Sequence, residues 1–234
     1  MLPFLKRQLK KAFRPSYRIA CDSYALTLLR PYQFQYLPWT SAAIRPSSLC
    51  ALLNEILINR RTTLVEFGAG ISTLYIAKAM KQHHGTLVSF EHDREWRDFI
   101  AAQLFEHGLS DCADIVYAPL RECDTAVDGC LWYDTTIVRE MLEARVVDGV
   151  VVDGPPANSP GLQMARFPAV PIVREHLGES FFIYLDDISR VGESRVFEKW
   201  QELLQVTGSK EVIVGDFGML RKGSRFGFEM YSFA

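Results

Sequence analysis

TLVEFGAGIST, residues 63–73, carries an apolar run into a turn with two glycines and then opens a new amphipathic pattern. A short run of Thr, Leu, Val and Phe closed by glycine reads as a buried strand. Gly68 and Gly70 lack Cβ, so the backbone between them can turn tightly and let a ligand approach closely. Ser72 to Gln82 reads as a helix, whose first N–H groups have no partners within the helix and favour electron-rich ligand atoms. Strand, glycine turn and helix in that order predict a ligand beyond the carboxyl ends of a parallel sheet.

The same alternation continues outward in both directions. Pro46 to Asn59 has apolar residues at 49, 52, 53, 56 and 57, one face of a helix, with Ser47 or Ser48 placed to cap it. TLVSF (86–90) runs into EHD, and Arg94 to His107 reads as a helix with Asp93 as its N-cap. DIVYA (114–118), GVVVD (149–153) and FFIYLDD (181–187) are further strands, and a helix spans Glu193 to Leu204. KEVIVGDFGMLRKG and then FGFEMYSF read as a closing strand pair. Strands separated by helices imply right-handed βαβ units. The predicted fold class is α/β and Rossmann-like, a mainly parallel sheet with an antiparallel edge strand and helices on both faces. Residues 1–40 are expected to form a basic, aromatic extension, helical and acting as a cap or contact element, ahead of one domain over 41–234.

At 234 residues, 48% hydrophobic and 23% charged, the chain can bury one sizeable core. A net charge of −2 argues against general nucleic-acid binding, which needs a concentrated excess of Lys and Arg. The charge is uneven: residues 1–20 hold Lys6, Arg7, Lys10, Lys11, Arg14 and Arg18 and no acid. Leu2, Leu5, Leu9 and Phe13 recur among them at helical spacing, a pattern that suits weak contact with an anionic membrane, a cap over a site, or contact between copies in a homo-oligomer. Five cysteines without a CxxC pair or a histidine at zinc spacing point to a reducing compartment. No apolar run approaches the roughly 18 residues of a membrane span. The expectation is a cytoplasmic protein, at most peripheral to the inner face of a membrane.

The glycine turn departs from the dinucleotide fingerprint GxGxxG, because Thr73 holds the third position. That third glycine serves tight helix packing below a pyrophosphate, and a ligand with a ribose and an amino-acid tail but no phosphates has less need of it. Glu91 ends the second strand 21 residues after Gly70, near the spacing of a carboxylate that accepts both ribose hydroxyl protons. Glycine turn and ribose acid together describe a nucleoside site.

These segments resemble the class I S-adenosylmethionine-dependent methyltransferases. EFGAGIST (66–73) is similar to their first motif, FEHD (90–93) to the second and VVVDGPP (150–156) to the motif on strand four. WYD (132–134), VVVDGPP, ARFPAVP (165–171), YLDDISR (184–190) and EKW (198–200) are together similar to the methyltransferase 24 family, over about residues 40–222. The resemblance implies a seven-stranded sheet with S-adenosyl-L-methionine over its first four strands. It would place Glu66, Gly68, Gly70, Ser72 and Thr73 around the methionine portion, Glu91 on the ribose and His92 near the adenine. Ala118, Pro119 and Leu120 would wall the adenine, and Asp153 would face the methionine amine or the substrate. Family membership does not fix the methyl acceptor, and the expectation is an O-methyltransferase acting on a small molecule or a glycan.

Methyl transfer from a sulfonium is an in-line displacement that needs an aligned acceptor and a proton acceptor. Asp153, Asp186 and Asp187 end neighbouring strands and make an oxygen set suited to Mg²⁺ or Ca²⁺. Metal-dependent catechol-type O-methyltransferases are similar here, although Asp187 stands where an Asn is common. The competing reading pairs Asp186 with Arg190 or Arg166 and makes Asp187 a helix cap. Asp153, Asp187 and His176 are the candidate bases. Arg166 either grips an acidic acceptor or pins its own loop, and Trp132 and Tyr133 either stack on the acceptor or pack internally. A nicotinamide-dependent oxidoreductase and a catalytically silent cofactor-binding scaffold are the competing functions. Thr73 speaks against the first, and Glu66, Glu91 and Asp153 against the second.

Overall fold

The structure is a computed structural model that describes residues 2–34, 36, 37, 39–212, 214–224 and 226, with side chains from residue 15 onward. In chain order the elements are α1 (Leu2–Leu28), α2 (Pro46–Ile58), β1 (Thr63–Phe67), α3 (Ile71–Gln82), β2 (Thr86–Glu91), α4 (Arg94–Glu106), β3 (Ala113–Tyr117), β4 (Leu120–Arg121), β5 (Trp132–Tyr133), α5 (Thr135–Leu142), β6 (Val147–Val152), α6 (Ala169–Val173), β7 (Leu177–Asp186), α7 (Val191–Leu204), β8 (Gly208–Glu211) and β9 (Phe217–Lys222). TLVEFGAGIST is thus β1, a turn and the start of α3.

Seven strands form one sheet in the order β3-β2-β1-β6-β7-β9-β8, and β4 pairs with β5 outside it. Neighbours are parallel from β3 to β7, and β9 runs antiparallel to both β7 and β8. The antiparallel strand therefore lies one place in from the edge, with β8 beyond it. β1 and β6 read as near-continuous apolar runs because helices cover both faces of the sheet. On one face Leu64, Val151 and Tyr184 pack with Leu49, Leu52, Ile76 and Met80. On the other Val65, Phe67, Val152 and Leu185 pack with Trp132, Val138 and Trp200.

Register fixes what emerges at the carboxyl ends. Phe90, Phe67, Val152 and Leu185 are partners across β2, β1, β6 and β7. One residue further along each strand stand Glu91, Gly68, Asp153 and Asp186. The chain leaves β1 towards β2 and β3 and returns as β6 on the other side of β1, which opens a crevice where the strand order reverses.

Two local expectations are corrected. Neither Ser47 nor Ser48 caps α2: its N-cap is Arg45, followed by Pro46. Asp22 of α1 does that work from outside, accepting from Ser47 N (3.3 Å) and Ser47 Oγ (2.6 Å) on one oxygen and from Arg45 on the other. KEVIVGDFGMLRKG is two strands, because the chain turns after Glu211 and Asp216 N–H donates back to the Glu211 carbonyl at 3.0 Å. FGFEMYSF lies outside the described residues apart from Phe226. Asp93 does cap α4, accepting from Trp96 N at 2.9 Å. Among the described residues no helix is long and apolar enough to cross a membrane.

Candidate active site

The two glycines of the turn meet different demands. Gly68 has φ +96°, and a Cβ there would lie 2.8 Å from Gly154 N and 3.0 Å from Gly154 Cα. Gly154 is equally constrained, since a Cβ on it would run into the Tyr133 hydroxyl and lie 2.9 Å from Gly68 Cα. The ends of β1 and β6 thus touch backbone to backbone, which is why a glycine follows Asp153. Gly70 is extended, at φ −167°, and a Cβ there would have only Ser72 Oγ within 4 Å, at 3.9 Å.

Glu66 stands beneath this turn, fully buried. It accepts from Ser72 Oγ (2.7 Å), Thr73 Oγ1 (2.6 Å) and Ser89 Oγ (2.7 Å), and Thr73 Oγ1 in turn accepts from Gly70 N at 2.9 Å. The carboxylate therefore ties the first turn of α3 to β1 and β2. Burial pushes its pKa up from 4.5 to about 7, against the pull of the three hydroxyls. An acid that holds its proton more tightly when folded stabilises the fold fully below its unfolded pKa, and that contribution is lost as pH rises through the folded value. For Glu66 the window runs from pH 4.5 to about 7, and the total is roughly 3 kcal/mol at about 1.4 kcal/mol per pKa unit. Urea unfolding of Glu66→Gln at a series of pH values should show a shallower fall in stability across that window than the parent chain, by about one proton.

Glu91 is 4% exposed. Its Oε1 accepts from His92 N (2.7 Å) and Asp93 N (2.8 Å), and Oε2 accepts from Ala69 N (3.1 Å). A carboxylate offers about four lone-pair sites, so Oε2 keeps one for a ligand. His92 Nδ1 lies 2.8 Å from Glu91 Oε1, and that carboxylate raises the imidazole pKa. Trp96 closes the group, its indole N–H donating to Ala69 O at 2.8 Å.

On the β6 and β7 side, candidate ligand oxygens of Asp153, Asp186 and Asp187 lie within 4.8 Å of one another. Burial and the neighbouring carboxylates lift both Asp153 and Asp186 above the ordinary carboxylate range. Asp186 Oδ1 accepts from the Tyr184 hydroxyl at 2.6 Å. Arg166 stands among the three acids at 4% exposure. Its Nε donates to Pro155 O (3.3 Å), Nη1 to Asp186 O (3.2 Å), and Nη2 to Asp153 O (2.7 Å) and Asp153 Oδ1 (3.3 Å). Nη1 also lies 3.3 Å from Asp187 Oδ2, which Arg190 Nη1 approaches to 2.7 Å. Asp187 does not cap α7, whose N-cap is Arg190.

One cavity of about 480 Å³ lies against these groups, with Asp186 outside its lining. Gly68, Gly70, Ser72, Glu91, His92, Tyr133, Asp153, Arg166 and Asp187 line it, as the sequence led one to expect of site residues. Glu66 and Thr73 stand below the turn and do not line it. Other predicted positions fall elsewhere. Ala118 is buried, with its N–H on Glu91 O, Pro119 O accepts from Asp134 N, and Leu120 pairs with Tyr133 in the β4–β5 ladder. None of the three is in the cavity lining, although Tyr133, the ladder partner of Leu120, is. Trp132 is fully buried against Phe67, ring centroids 4.9 Å apart, and cannot reach an acceptor. His176 immediately precedes β7, whose far end is Asp186, so the length of a ten-residue strand separates it from the cluster. At about 3.3 Å per residue that is about 30 Å, too far for a base. Arg166 does not offer a free fork to an acidic acceptor, because hydrogen bonds to Pro155, Asp186 and Asp153 and an ion pair with Asp187 engage all three of its nitrogens inside the protein.

Trp96, Asn158, Arg190 and the segment Ala42–Ile44 line the cavity without having been expected. Trp96 had a usable signal, three residues past a cap that follows the ribose acid. The others sit on loops without periodicity. Tyr133 lines the cavity with a fully buried hydroxyl that has no hydrogen-bond partner among the described residues.

Counting only strands of the main sheet in chain order, the arrangement is 3-2-1-4-5-7-6. With a glycine turn and an acid at the reversal point, it defines a class I methyltransferase scaffold. Solved structures agree on the fold. The chain matches SAH-bound Podospora anserina methyltransferase PaMTH1 at TM-score 0.58 and 11% identity, over 93% of this chain and 95% of that one. It matches an O-methyltransferase from Bacillus cereus in complex with SAH at 0.58 and 13%, over 87% and 90%. The O-methyltransferase TomG from Streptomyces achromogenes, involved in tomaymycin synthesis and solved with SAM, matches at 0.54 and 16%, over 86% and 88%. No curated protein sequence matches the chain. A family model described as Methyltransferase domain, that of the methyltransferase 24 family, matches residues 65–188, just over half of the chain. The chain belongs to that family.

Proposed function

We propose that this methyltransferase carries a methyl group from S-adenosylmethionine to an oxygen of a small molecule or glycan. The observation that carries the reading is Glu91. Its Oε2 retains accepting capacity at the cavity wall, on the same rung as Gly68 and Asp153. Glu91 would accept from a ribose hydroxyl, and the Gly68–Gly70 turn and first N–H groups of α3 would take the amino-acid portion. His92, Trp96 and the unpartnered Tyr133 hydroxyl border the same cavity and suit the nucleoside. Bound there, S-adenosylmethionine supplies the electrophilic methyl group.

The chain's own part is alignment and proton removal. Asp153 is aimed by its strand end and by Arg166, and a carboxylate held above its ordinary pKa is a stronger proton acceptor for an acceptor hydroxyl. Thr40, Ala42–Ile44, Asn158 and Arg190 form the remaining rim, through which an acceptor would enter. A cavity of about 480 Å³ is of the size that holds small ligands. The relatives named for O-methyl transfer support oxygen as the acceptor atom. Thr73, committed to Glu66 and Gly70 N, leaves the helix start without the close packing that a dinucleotide pyrophosphate uses.

Isothermal titration of the purified chain with S-adenosylhomocysteine and with NAD separates the two nucleotide readings. The expected result is a single S-adenosylhomocysteine site of micromolar affinity and no NAD binding. NAD binding without S-adenosylhomocysteine binding would instead favour the oxidoreductase.

A further inference from the structure

We propose that the Arg166 guanidinium takes the place of a divalent cation at the Asp153, Asp186 and Asp187 cluster, so that this site works without a bound metal ion. Three carboxylates at neighbouring strand ends form the kind of oxygen set that recruits Mg²⁺ or Ca²⁺. Here the positive charge at their centre belongs to the chain. Arg166 contacts Asp153 Oδ1 and Asp187 Oδ2, each at 3.3 Å, and is 4% exposed. Its other acceptors are the main-chain carbonyls of Asp153, Pro155 and Asp186. Those carbonyls cannot change protonation, and they cannot move without moving the ends of β6 and β7.

One oxygen of each of the other two acids has a further partner. Asp187 Oδ2 is shared with Arg190 at 2.7 Å, and Asp186 Oδ1 is held by the Tyr184 hydroxyl at 2.6 Å. A divalent ion held by their other oxygens would stand beside a buried guanidinium that does not deprotonate in proteins. A lysine could swing away or lose its proton, whereas an arginine fixed by five acceptors does neither. The three acids therefore do not fit a metal centre as they stand. Arg166 acts instead as a positioning residue, gripping Asp153 by both its carbonyl and its carboxylate and leaving the second carboxylate oxygen unclaimed among the described residues.

Cation binding at the cluster can be read independently of cofactor binding. Mn²⁺, Mg²⁺ and Ca²⁺ are titrated calorimetrically into the full chain after chelator treatment, at neutral pH and about 0.15 M salt. The expected result is no site tighter than about 1 mM, and the same melting temperature in chelator as in excess Mg²⁺. Arg166→Met is expected to gain a Mn²⁺ site at least about tenfold tighter, lost again when Asp187→Asn is added. S-adenosylhomocysteine affinity of the parent chain is expected to be equal in chelator and in Mg²⁺. A parent chain that binds one Mn²⁺ below the millimolar range, with binding abolished by Asp153→Asn, overturns the proposal. So does a folded Arg166→Met that still binds no cation, because the guanidinium would then not be what excludes it. If Arg166→Met does not fold, the titration of the parent chain decides the question alone.

Discussion

Gly68→Ala is expected to melt roughly 10 °C below the parent chain and to lose measurable S-adenosylhomocysteine binding, whereas Gly70→Ala keeps its melting temperature and loses affinity only. At Gly68 the new Cβ meets backbone, 2.8 Å from Gly154 N, on a residue whose φ of +96° already disfavours a side chain. Neither strand end can yield without shifting Glu91 or Asp153 on the same rung. Left-handed strain and a backbone clash together cost roughly 3 kcal/mol, and in a chain of this size each kcal/mol is worth about 2–4 °C. At Gly70 the backbone is extended and the nearest other atom is 3.9 Å away, so a methyl group is tolerated by the fold. It then occupies space the ligand needs, and an affinity loss of about tenfold, or 1.4 kcal/mol, is expected. Differential scanning fluorimetry and calorimetry on both variants separate the two roles. Equal melting losses would show that the turn does not divide its work in this way.

Glu91→Gln should weaken S-adenosylhomocysteine binding roughly a hundredfold. The charged acceptor for a ribose hydroxyl is lost, and a hydrogen bond to a charged group is worth about 1.5–3 kcal/mol. The amide also turns a donor towards Ala69 N–H or towards the His92 and Asp93 N–H pair, all of which now meet acceptors. A moderate drop in melting temperature should accompany the loss. The clean readout is a cofactor analogue lacking both ribose hydroxyls, which should bind parent and variant within about threefold of each other. If S-adenosylhomocysteine itself binds the variant as tightly as the parent, Glu91 is not the ribose acceptor.

What was legible in the sequence was mostly position along a strand. TLVEF, TLVSF, GVVVD and FFIYLDD each end in or beside a polar or glycine residue, and register brings those ends onto one rung as Glu91, Gly68, Asp153 and Asp186. Strand ends can be located from periodicity because burial on both faces demands apolar runs. What a side chain does with its donors could not be located that way. Arg166 read equally well as a substrate grip or a pin, and only the three carbonyls and two carboxylates around it decide the matter. The Ser47 and Ser48 cap failed for a similar reason: the acceptor comes from Asp22, a residue of another helix. The pairing of Leu120 with Tyr133 was not legible either, because the two-residue strands β4 and β5 are too short to leave a pattern.

The common rung of Glu91, Gly68, Asp153 and Asp186 divides the molecule into parts with unequal freedom to vary. Inserting or deleting one residue within β1, β2, β6 or β7 would carry that strand's last residue off the rung and turn its side chains to the opposite face. The segments around Asn158 and Arg190 begin only after the rung is complete, yet they border the same cavity. A lineage could therefore redraw those rims for a new acceptor while the methyl-donor half stays locked in the sheet, and acceptor range would drift faster than cofactor choice.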